Sequence, residues 1–422
     1  MKTKTKKASY ESVMQMPRQK HKNPPKPSKL FAMLINILAR FDLRKLKFEY
    51  TLNDNGVLKN GPCLVLMNHS SFIDLEIASK ILYPKPYNIV CTSDGFVGKE
   101  WLMRKIGCIP TQKFVTDLTL IRDIKYALKQ GNHVLMYPEA SYSFDGCATP
   151  LPRKMGALLK LLGVPVVTVI TKGAFAHDPL YNGLQKRKVK VSAEVKCLAT
   201  AEQIKELPTH TLDGLLDDAF TFDNFAWQHE NKIEIDVPFR ADGLERILYK
   251  CPNCLTEGKM VGKGTEIVCT HCGKRHYMDV YGKLHDSDGT TIFSHIPDWY
   301  NWQRECVREE LAGNRYLLDT EVEIGVMVNY KAIYMVGGGR LIHNGNGFKL
   351  TGCDGKLNYE QGPLSSYSLY ADYFWYEIGD IICIGDKNCL YYCFPKKQGV
   401  VSKTRLATEE LFKLKKRSKQ QA

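Results

Sequence analysis

An alternation of short apolar runs with helical patterns between residues 60 and 200 constrains the fold more than any other feature. Five apolar runs predict strands, at residues 64–67, 88–91, 134–137, 166–170 and 189–195. Four stretches between them predict helices, at residues 72–82, 99–106, 118–129 and 154–162. Strands that alternate with helices form a mostly parallel sheet flanked by helices. We therefore predict an α/β fold for this part of the chain.

The segment "CPNCLTEGKMVGKGTEIVCTHC" carries Cys251, Cys254, Cys269 and Cys272 in the spacing C-x2-C-x14-C-x2-C. Each pair can form a tight turn that presents two thiolates to one ion, and Gly273 eases the second turn. Four thiolates suit Zn²⁺, and four protein ligands leave no open position, so we predict a structural zinc ribbon. Disulfides and an iron–sulfur site are the alternatives. The 14 cysteines without a secretory signal indicate a reducing cytosol, and no other feature indicates electron transfer.

The sequence changes character after residue 315. β-Branched and aromatic runs are separated by turn dipeptides such as Asn344-Gly345 and Asp354-Gly355, which predicts a small antiparallel β domain. The last stretch predicts a basic helix with Thr408 as its N-cap. We divide the chain into a disordered basic arm at 1–30, an α/β domain with an N-terminal amphipathic helix at 31–248, a zinc ribbon at 249–285, and a β-rich domain with a C-terminal helix at 315–418.

The net charge of +14 favours an anionic partner such as a membrane face, nucleic acid or a phosphorylated substrate. Residues 1–30 contain nine Lys and Arg against one acid, Glu11, and four prolines, which predicts disorder. A solvated tail without a role is the alternative. The stretch "LFAMLINILARF" at 30–41 is long enough for a helix in the headgroup plane of an anionic membrane, or for one packed on the domain.

No apolar run of the sequence reaches the roughly 18 to 20 residues that a membrane span needs. We also find no apolar core close behind the basic start, as a signal peptide would have. We therefore expect a cytoplasmic protein that is peripherally attached to the inner face of the membrane.

The stretch "LMNHSSFIDLE" places His69 and Asp74 at the exit of the first predicted core strand. A neutral imidazole can take a proton from an attacking alcohol, and a carboxylate on its other ring nitrogen holds the tautomer and stabilises the imidazolium. Five positions on one continuous helix would put the side chains about 140° apart. His69 should therefore lie in the turn before the helix, with Asp74 on its first turn and Ser70 or Ser71 as the cap.

Four sequence blocks in order resemble those of the glycerolipid acyltransferases, the 1-acylglycerol-3-phosphate acyltransferase family. They are "NHSSFIDLE" at 68–76, "GCIPTQK" at 107–113, "YPEASYS" at 137–143 and "VPVVTV" at 164–169. The resemblance covers roughly residues 45 to 200. It implies that His69 is the general base for an acceptor hydroxyl and Asp74 its orienting partner. It also implies that Lys113, Glu139 and Ser141 bind substrate.

The implied activity is transfer of a fatty acyl chain from acyl-CoA or acyl-carrier protein to a lysophospholipid acceptor at an anionic membrane surface. The chain departs from the family in the third block, where Gly-Thr-Arg is replaced by Ala140-Ser141-Tyr142. The second block ends in Lys113 where Arg is usual, which gives a point charge rather than a bidentate fork. Both departures weaken the expectation of a phosphate monoester acceptor.

Two other functions remain open from sequence. The first is a catalytically silent, membrane-associated scaffold, which the missing third-block Arg supports and the intact His69 and Asp74 pair opposes. The second is a zinc-ribbon protein that binds nucleic acid through the basic residues around its cysteines. The absence of aromatic side chains interleaved with these basic residues disfavours nucleic acid.

Overall fold

The N-terminal arm contacts both the α/β domain and the C-terminal β domain. The computed structural model describes residues 3–115, 117–152, 154–286 and 289–421. The arm contains β1 (Thr5–Lys7), which pairs in parallel with residues 333–335, and α1 (Tyr10–Met14), and α2 (Lys29–Lys45) follows it. Val13 is fully buried. The prediction of a disordered arm is therefore wrong for the described part of 1–30, because its backbone adds a strand to a sheet and Val13 joins a hydrophobic core.

A seven-stranded sheet forms the centre of the α/β domain. Its strands are β2 (Glu49–Asn53), β3 (Leu64–Met67), β4 (Tyr87–Thr92), β5 (Cys108–Thr111), β6 (His133–Met136), β7 (Val166–Lys172) and β8 (Ser192–Ala199). They lie in the order β2-β8-β7-β3-β6-β4-β5. Neighbours are parallel except β7 and β8, which are antiparallel. The sheet is therefore mixed, with one antiparallel pair that the sequence did not predict.

Helices cover both faces of this sheet. The helices of this domain after α2 are α3 (Val57–Asn60), α4 (Asp74–Leu82), α5 (Glu100–Lys105), α6 (Leu118–Lys129), α7 (Met155–Leu162), α8 (Ala174–His177), α9 (Ala201–Glu206), α10 (Thr209–Ala219) and α11 (Asn224–Glu230). In β3, Val65 and Met67 pack on the face covered by α2 and α4. Leu64 and Leu66 pack on the face covered by α6, α7 and α10. A strand buried on both faces is a continuous apolar run, which is why β3 was predicted with its correct bounds.

The cysteine-bearing unit is a four-stranded antiparallel sheet. Its strands are β9 (Met260–Lys263), β10 (Glu266–Cys269), β11 (Arg275–Met278) and β12 (Leu284–Asp286), in the order β12-β11-β10-β9. The β9–β10 hairpin brings the two cysteine pairs together, as predicted from their spacing. A long helix, α12 (Ile296–Ala312), follows this unit.

The C-terminal part is an antiparallel sheet closed by a helix. Its strands are β13 (Leu318–Met327), β14 (Ile333–Asn344), β15 (Gly347–Gly352), β16 (Leu357–Gln361), β17 (Tyr370–Trp375), β18 (Gly379–Gly385) and β19 (Leu390–Pro395). α13 (Val400–Gln421) packs on α12 and β17. The predicted N-cap, Thr408, is wrong, since its Oγ1 donates to the Thr404 carbonyl within α13. The helix begins at Val400, about two turns before Thr408, and most of the residues between these two positions are buried.

Within the described ranges, no helix combines the length and the apolar character that a membrane span requires.

One buried carboxylate of the α/β domain bonds three side chains of the β domain. Asp94 lies in a 3₁₀ turn after β4 and is 1% exposed. It accepts hydrogen bonds from the hydroxyl groups of Tyr370 at 2.6 Å, Tyr376 at 3.2 Å and Tyr392 at 3.4 Å. All three tyrosines belong to the β domain. The two units therefore share a buried polar contact rather than a flexible linker alone.

Replacement of Asp94 by alanine is expected to lower the free energy of unfolding by about 3 kcal/mol or more, because buried phenol groups lose their acceptor. Urea denaturation measures this change. The matched control is Asp42→Ala, which removes an exposed aspartate that pairs with Lys45 and should cost less than about 1 kcal/mol. Equal losses in the two variants would contradict the role of Asp94 in docking.

Candidate active site

Asp74 holds the turn between β3 and α4 through three hydrogen bonds. His69 lies two residues after β3, and Asp74 is the first residue of α4. Asp74 Oδ2 lies 2.9 Å from His69 Nδ1 and accepts from the backbone N–H groups of Ser70 and Ser71 at 3.0 and 3.2 Å. The pairing geometry expected from the sequence is present. Neither serine is the N-cap of α4, however. That position is Ile73, and the carboxylate of Asp74 accepts the hydrogen bonds from the N–H groups of the turn.

The Ser71 hydroxyl both donates and accepts a hydrogen bond. Its Oγ accepts from the backbone N–H of Ile73 at 3.2 Å and donates to the carboxyl group of Asp178. Burial, together with the nearby charge of Asp74, raises the pKa of Asp178 to about 7. This network supports the turn that carries His69 and leaves Ser71 no free hydroxyl.

Two tyrosine rings enclose the imidazole of His69. The ring of Tyr137 lies 4.1 Å from it, centroid to centroid, and the ring of Tyr142 lies 3.9 Å from it, both within 30° of parallel. Phe72 stacks on the outer face of Tyr142 at 5.3 Å. The His69 side chain keeps 16% of its surface exposed. Sequence reasoning missed both tyrosines, although both lie in the block "YPEASYS".

Burial between these rings lowers the pKa of His69, because it removes water from the charged form. The hydrogen bond to Asp74 opposes this effect, and the charge of Lys113 adds to it. The net direction is downward, so the imidazole is neutral at neutral pH. A donor at Nδ1 facing Asp74 leaves the lone pair on Nε2, which is the arrangement a general base requires.

Glu139 lies beside the His69 backbone, and its carboxyl group accepts hydrogen bonds from Thr149. Its Oε2 accepts from the Thr149 backbone N–H at 3.2 Å and from Thr149 Oγ1 at 3.0 Å. Burial raises the pKa of Glu139 to about 7, while hydrogen bonds from Thr149 and from the His69 backbone lower it. The next residue, Ala140, has a φ of 57°, a left-handed conformation that favours glycine. The backbone thus keeps the shape of a glycine turn although the sequence has alanine.

Ser141 contacts an arginine from the far end of the chain. Ser141 Oγ accepts from Arg405 Nη2 at 3.0 Å, and the Tyr142 carbonyl accepts from Arg405 Nη1 at 3.3 Å. Arg405 lies on α13 and is 4% exposed. No sequence signal marked Arg405, because it lies in no block and the two residues that it bonds in this turn are more than 260 positions away.

Lys113 is covered by the β domain. Its Nζ lies 4.3 Å from the centre of the Tyr370 ring. Burial lowers the pKa of Lys113, while the charges of Asp372 and Asp94 raise it. Burial also raises the pKa of Asp372 to about 7, against the charge of Lys113. Lys113 is therefore close enough to His69 to affect its pKa, but its immediate neighbours come from the β domain rather than from open solvent.

The four predicted metal-ligating cysteines lie together. Their Sγ atoms are all within 4.8 Å of one another, and the distance is 3.7 Å for Cys251 to Cys272 and for Cys254 to Cys269. A tetrahedral zinc site with bonds of about 2.3 Å has sulfur–sulfur edges of about 3.8 Å. The cluster could therefore hold a metal such as zinc. Gly273 has a φ of 77°, which explains why glycine follows the second pair.

Comparison with known proteins identifies part of the chain. Residues 48–172 match the Acyltransferase family model. A 1-acyl-sn-glycerol-3-phosphate acyltransferase from Brassica napus, BAT2 of the chloroplast, is 26% identical over 116 residues, which is 26% of this chain and 33% of that protein. The chain thus spans about a third of that relative's length. The resemblance to the acyltransferases is confirmed for the segment that contains His69, Asp74, Lys113, Glu139 and Ser141.

Solved structures add little to this identification. The acyltransferase PlsC from Thermotoga maritima aligns with 46% of this chain and 81% of its own, at 15% identity and a TM-score of 0.33. A pilus retraction motor, PilT with bound ADP, aligns with 44% of this chain and 62% of its own, at 12% identity and a TM-score of 0.23. Both scores are too low to support an argument about fold or function.

The cysteine cluster is expected to bind one Zn²⁺ per chain, measured by elemental mass spectrometry of the purified protein. The Cys251→Ser/Cys269→Ser variant should lose the metal and unfold at a lower temperature, since the small sheet depends on the ion for part of its stability. Cys306→Ser removes a half-buried thiol outside the cluster and should retain the metal. Metal loss in the control as well, or none in the double variant, would contradict the site.

Proposed function

We propose that this chain is an O-acyltransferase, on the premise that residues 48–172 match the acyltransferase family and contain a paired histidine and aspartate. It moves a fatty acyl chain from acyl-CoA or acyl-carrier protein to a hydroxyl group of a lysophospholipid such as 1-acylglycerol-3-phosphate. The observation that carries the proposal is the 2.9 Å contact of His69 Nδ1 with Asp74 Oδ2 in the turn after β3.

The proposed reaction needs one base that later acts as an acid. His69 Nε2 takes the proton of the acceptor hydroxyl as its oxygen bonds to the thioester carbon. Asp74 stabilises the imidazolium that forms. The tetrahedral intermediate then collapses, the carbon–sulfur bond breaks, and the imidazolium returns the proton to the departing thiolate. The lowered pKa of His69 suits this role, because the imidazole is neutral before the reaction.

The proposal needs no covalent acyl-enzyme. The Ser71 hydroxyl is bound to Ile73 and Asp178. Ser70 contributes its backbone N–H to Asp74. Neither contact activates a serine oxygen through His69, so direct attack by the acceptor hydroxyl is the simpler course.

Lys113, Glu139 and Ser141 remain proposed substrate-binding residues. Lys113 offers the positive charge for an anionic acceptor, and Glu139 and Ser141 flank the left-handed turn at Ala140. The half-buried position of Lys113 under Tyr370 supports a desolvated contact, in which a charge pair is stronger than in water. The zinc ribbon is proposed to be structural, because four thiolates leave no open position for chemistry.

We further propose that the protein works at the inner face of a membrane in the cytoplasm, attached through α2. This helix buries Asn36, Ala39 and Leu43 against the domain. Six other large apolar side chains of α2 are exposed, at helical spacing: Leu30, Met33, Leu34, Ile37, Leu38 and Phe41. Exposed basic residues flank this stripe, among them Lys29, Arg40 and Arg44. An exposed apolar stripe bordered by cations fits an anionic lipid surface.

The His69→Ala variant is expected to lower kcat by a factor of about 10² to 10⁴, because the general base is removed. Thiol release from acyl-CoA or acyl-carrier protein with lysophosphatidic acid measures this, with the lipid product confirmed by mass spectrometry. Wild-type kcat/KM should fall only at a pH below the ordinary histidine pKa of 6.5, since burial lowers the pKa of His69 and protonated His69 cannot act as a base. The control is His210→Ala, an exposed histidine on α10. Unchanged turnover in His69→Ala would remove His69 from the mechanism, and an inactive wild type would favour the silent scaffold.

The Leu34→Asp/Leu38→Asp variant is expected to lose binding to vesicles of phosphatidylcholine with phosphatidylglycerol, because two charges interrupt the apolar stripe of α2. Co-sedimentation measures binding, and neutral vesicles should bind the wild type less strongly. The matched control is Leu161→Asp, an exposed leucine on α7, which packs on the opposite face of the sheet. Equal binding by the double variant and the wild type would exclude α2 as the membrane contact.

A further inference from the structure

The last helix of the chain reaches into the turn that encloses His69. Arg405 of α13 spans two consecutive residues of this turn, with Nη2 bonded to Ser141 Oγ and Nη1 bonded to the Tyr142 carbonyl. Its guanidinium also lies 4.5 Å from the ring centre of Phe144. Three contacts to one short segment fix its backbone, since a planar guanidinium holds two acceptors in a set geometry.

The segment that Arg405 holds is the one that packs on His69. The Tyr142 ring stacks on one face of the imidazole, opposite the ring of Tyr137. Ala140, two residues before Tyr142, has a left-handed backbone conformation, which alanine adopts at a cost of about 1 kcal/mol or more. Such a turn persists only where its surroundings hold it, and Arg405 provides contacts directly after it.

Arg405 is itself fixed by a buried ion cluster. Its Nε lies 3.3 Å from Glu409 Oε1, and Ser368 donates to the same oxygen at 2.7 Å. Arg304 of α12 bonds the other oxygen of Glu409 at 2.6 Å and also contacts Glu410. Glu409 thus has two arginine partners, only one of which touches the turn beside His69. This difference allows the two arginines to be compared directly.

We propose that Arg405 is a positioning residue for the acyl-transfer reaction, and that it acts through Tyr142 to hold the His69 imidazole in its working orientation. The inference rests on the proposed function for its kinetic consequences, but the contact itself can be tested without catalysis. It makes α13, which lies outside residues 48–172, a required part of the catalytic unit. It also places a cation from the C-terminal helix against the altered third block.

The first test is an imidazole NMR titration of protein with ¹⁵N-labelled histidine, with the His69 signal assigned by its loss in His69→Gln. The groups that face His69 are Asp74, Lys113, Glu139 and the two tyrosine rings. In Arg405→Gln the released Tyr142 ring should admit water, so the pKa of His69 should rise toward its ordinary value of 6.5. Arg304→Gln should leave this titration unchanged, although it removes a cation from the same Glu409.

The second test is kinetic. Arg405→Gln is expected to lower kcat about 10- to 100-fold with little change in KM, because a misplaced base slows the chemical step. The acid limb of kcat/KM should move to higher pH, in line with the titration. Arg405→Lys keeps the charge but cannot span two acceptors as the guanidinium does, so it should resemble Arg405→Gln. Arg304→Gln should keep the wild-type kcat while losing thermal stability.

A double-variant cycle separates positioning from general loosening. If Arg405 acts through Tyr142, the Arg405→Gln/Tyr142→Ala variant should be no slower than Tyr142→Ala alone, since both changes remove one interaction. Should Arg405→Gln fail to fold, Ser141→Ala removes one of the two bonds and should shift the His69 titration in the same direction by less.

The proposal is overturned by a folded Arg405→Gln whose His69 titration and kcat match the wild type. Full rescue by Arg405→Lys overturns it too, since charge alone would then suffice, and so does an equal effect of Arg304→Gln. If the wild type has no acyltransferase activity but Arg405→Gln still shifts the His69 titration as expected, the proposed function is refuted. The contact of Arg405 with the turn beside His69 then still stands.

Discussion

The carboxylate of Asp74 is the constraint on which the site depends. One of its oxygens accepts from the imidazole of His69 and from two consecutive backbone N–H groups of the turn. The same atom therefore holds the turn between β3 and α4 and lies against the Nδ1 atom of the histidine. Because Asp74 is 1% exposed, these bonds form in a poorly hydrated setting, where loss of one partner is costly. One side chain thus sets both the backbone of the turn and the position of the imidazole.

The rest of the site is built from both ends of the chain. The α/β domain contributes His69, its carboxylate and the tyrosines around it, while the C-terminal part contributes Arg405 and the cover over Lys113. The hydrophobic core shows the same arrangement, since one cluster joins residues of the α/β domain, the ribbon, α12 and the β sheet. The units named from sequence are therefore packed against one another, and Asp94 and Arg405 supply buried polar contacts between them.

Sequence reasoning succeeded where the signal is local. The bounds of β3 and α6 were predicted to the residue, because a fully buried strand and an amphipathic helix each leave a short, unbroken pattern. The cysteine cluster was predicted for the same reason. The arm was mispredicted because its charge and prolines indicate disorder, while its strand and helix form only on the sheet of the distant β domain. The start of α13 was mispredicted because a threonine in mid-helix resembles a cap.

The sequence by itself determined the α/β alternation, the metal-binding spacing and the adjacency of a histidine and an aspartate across one turn. These features depend on residues within a few tens of positions of one another. Only the tertiary structure decided the antiparallel β7–β8 pair, the tyrosine rings that lower the pKa of His69, and the contact of Arg405 with Ser141. Each of these arises from side chains or strands that meet only after the chain has folded, because packing rather than spacing selects the partners of a buried group.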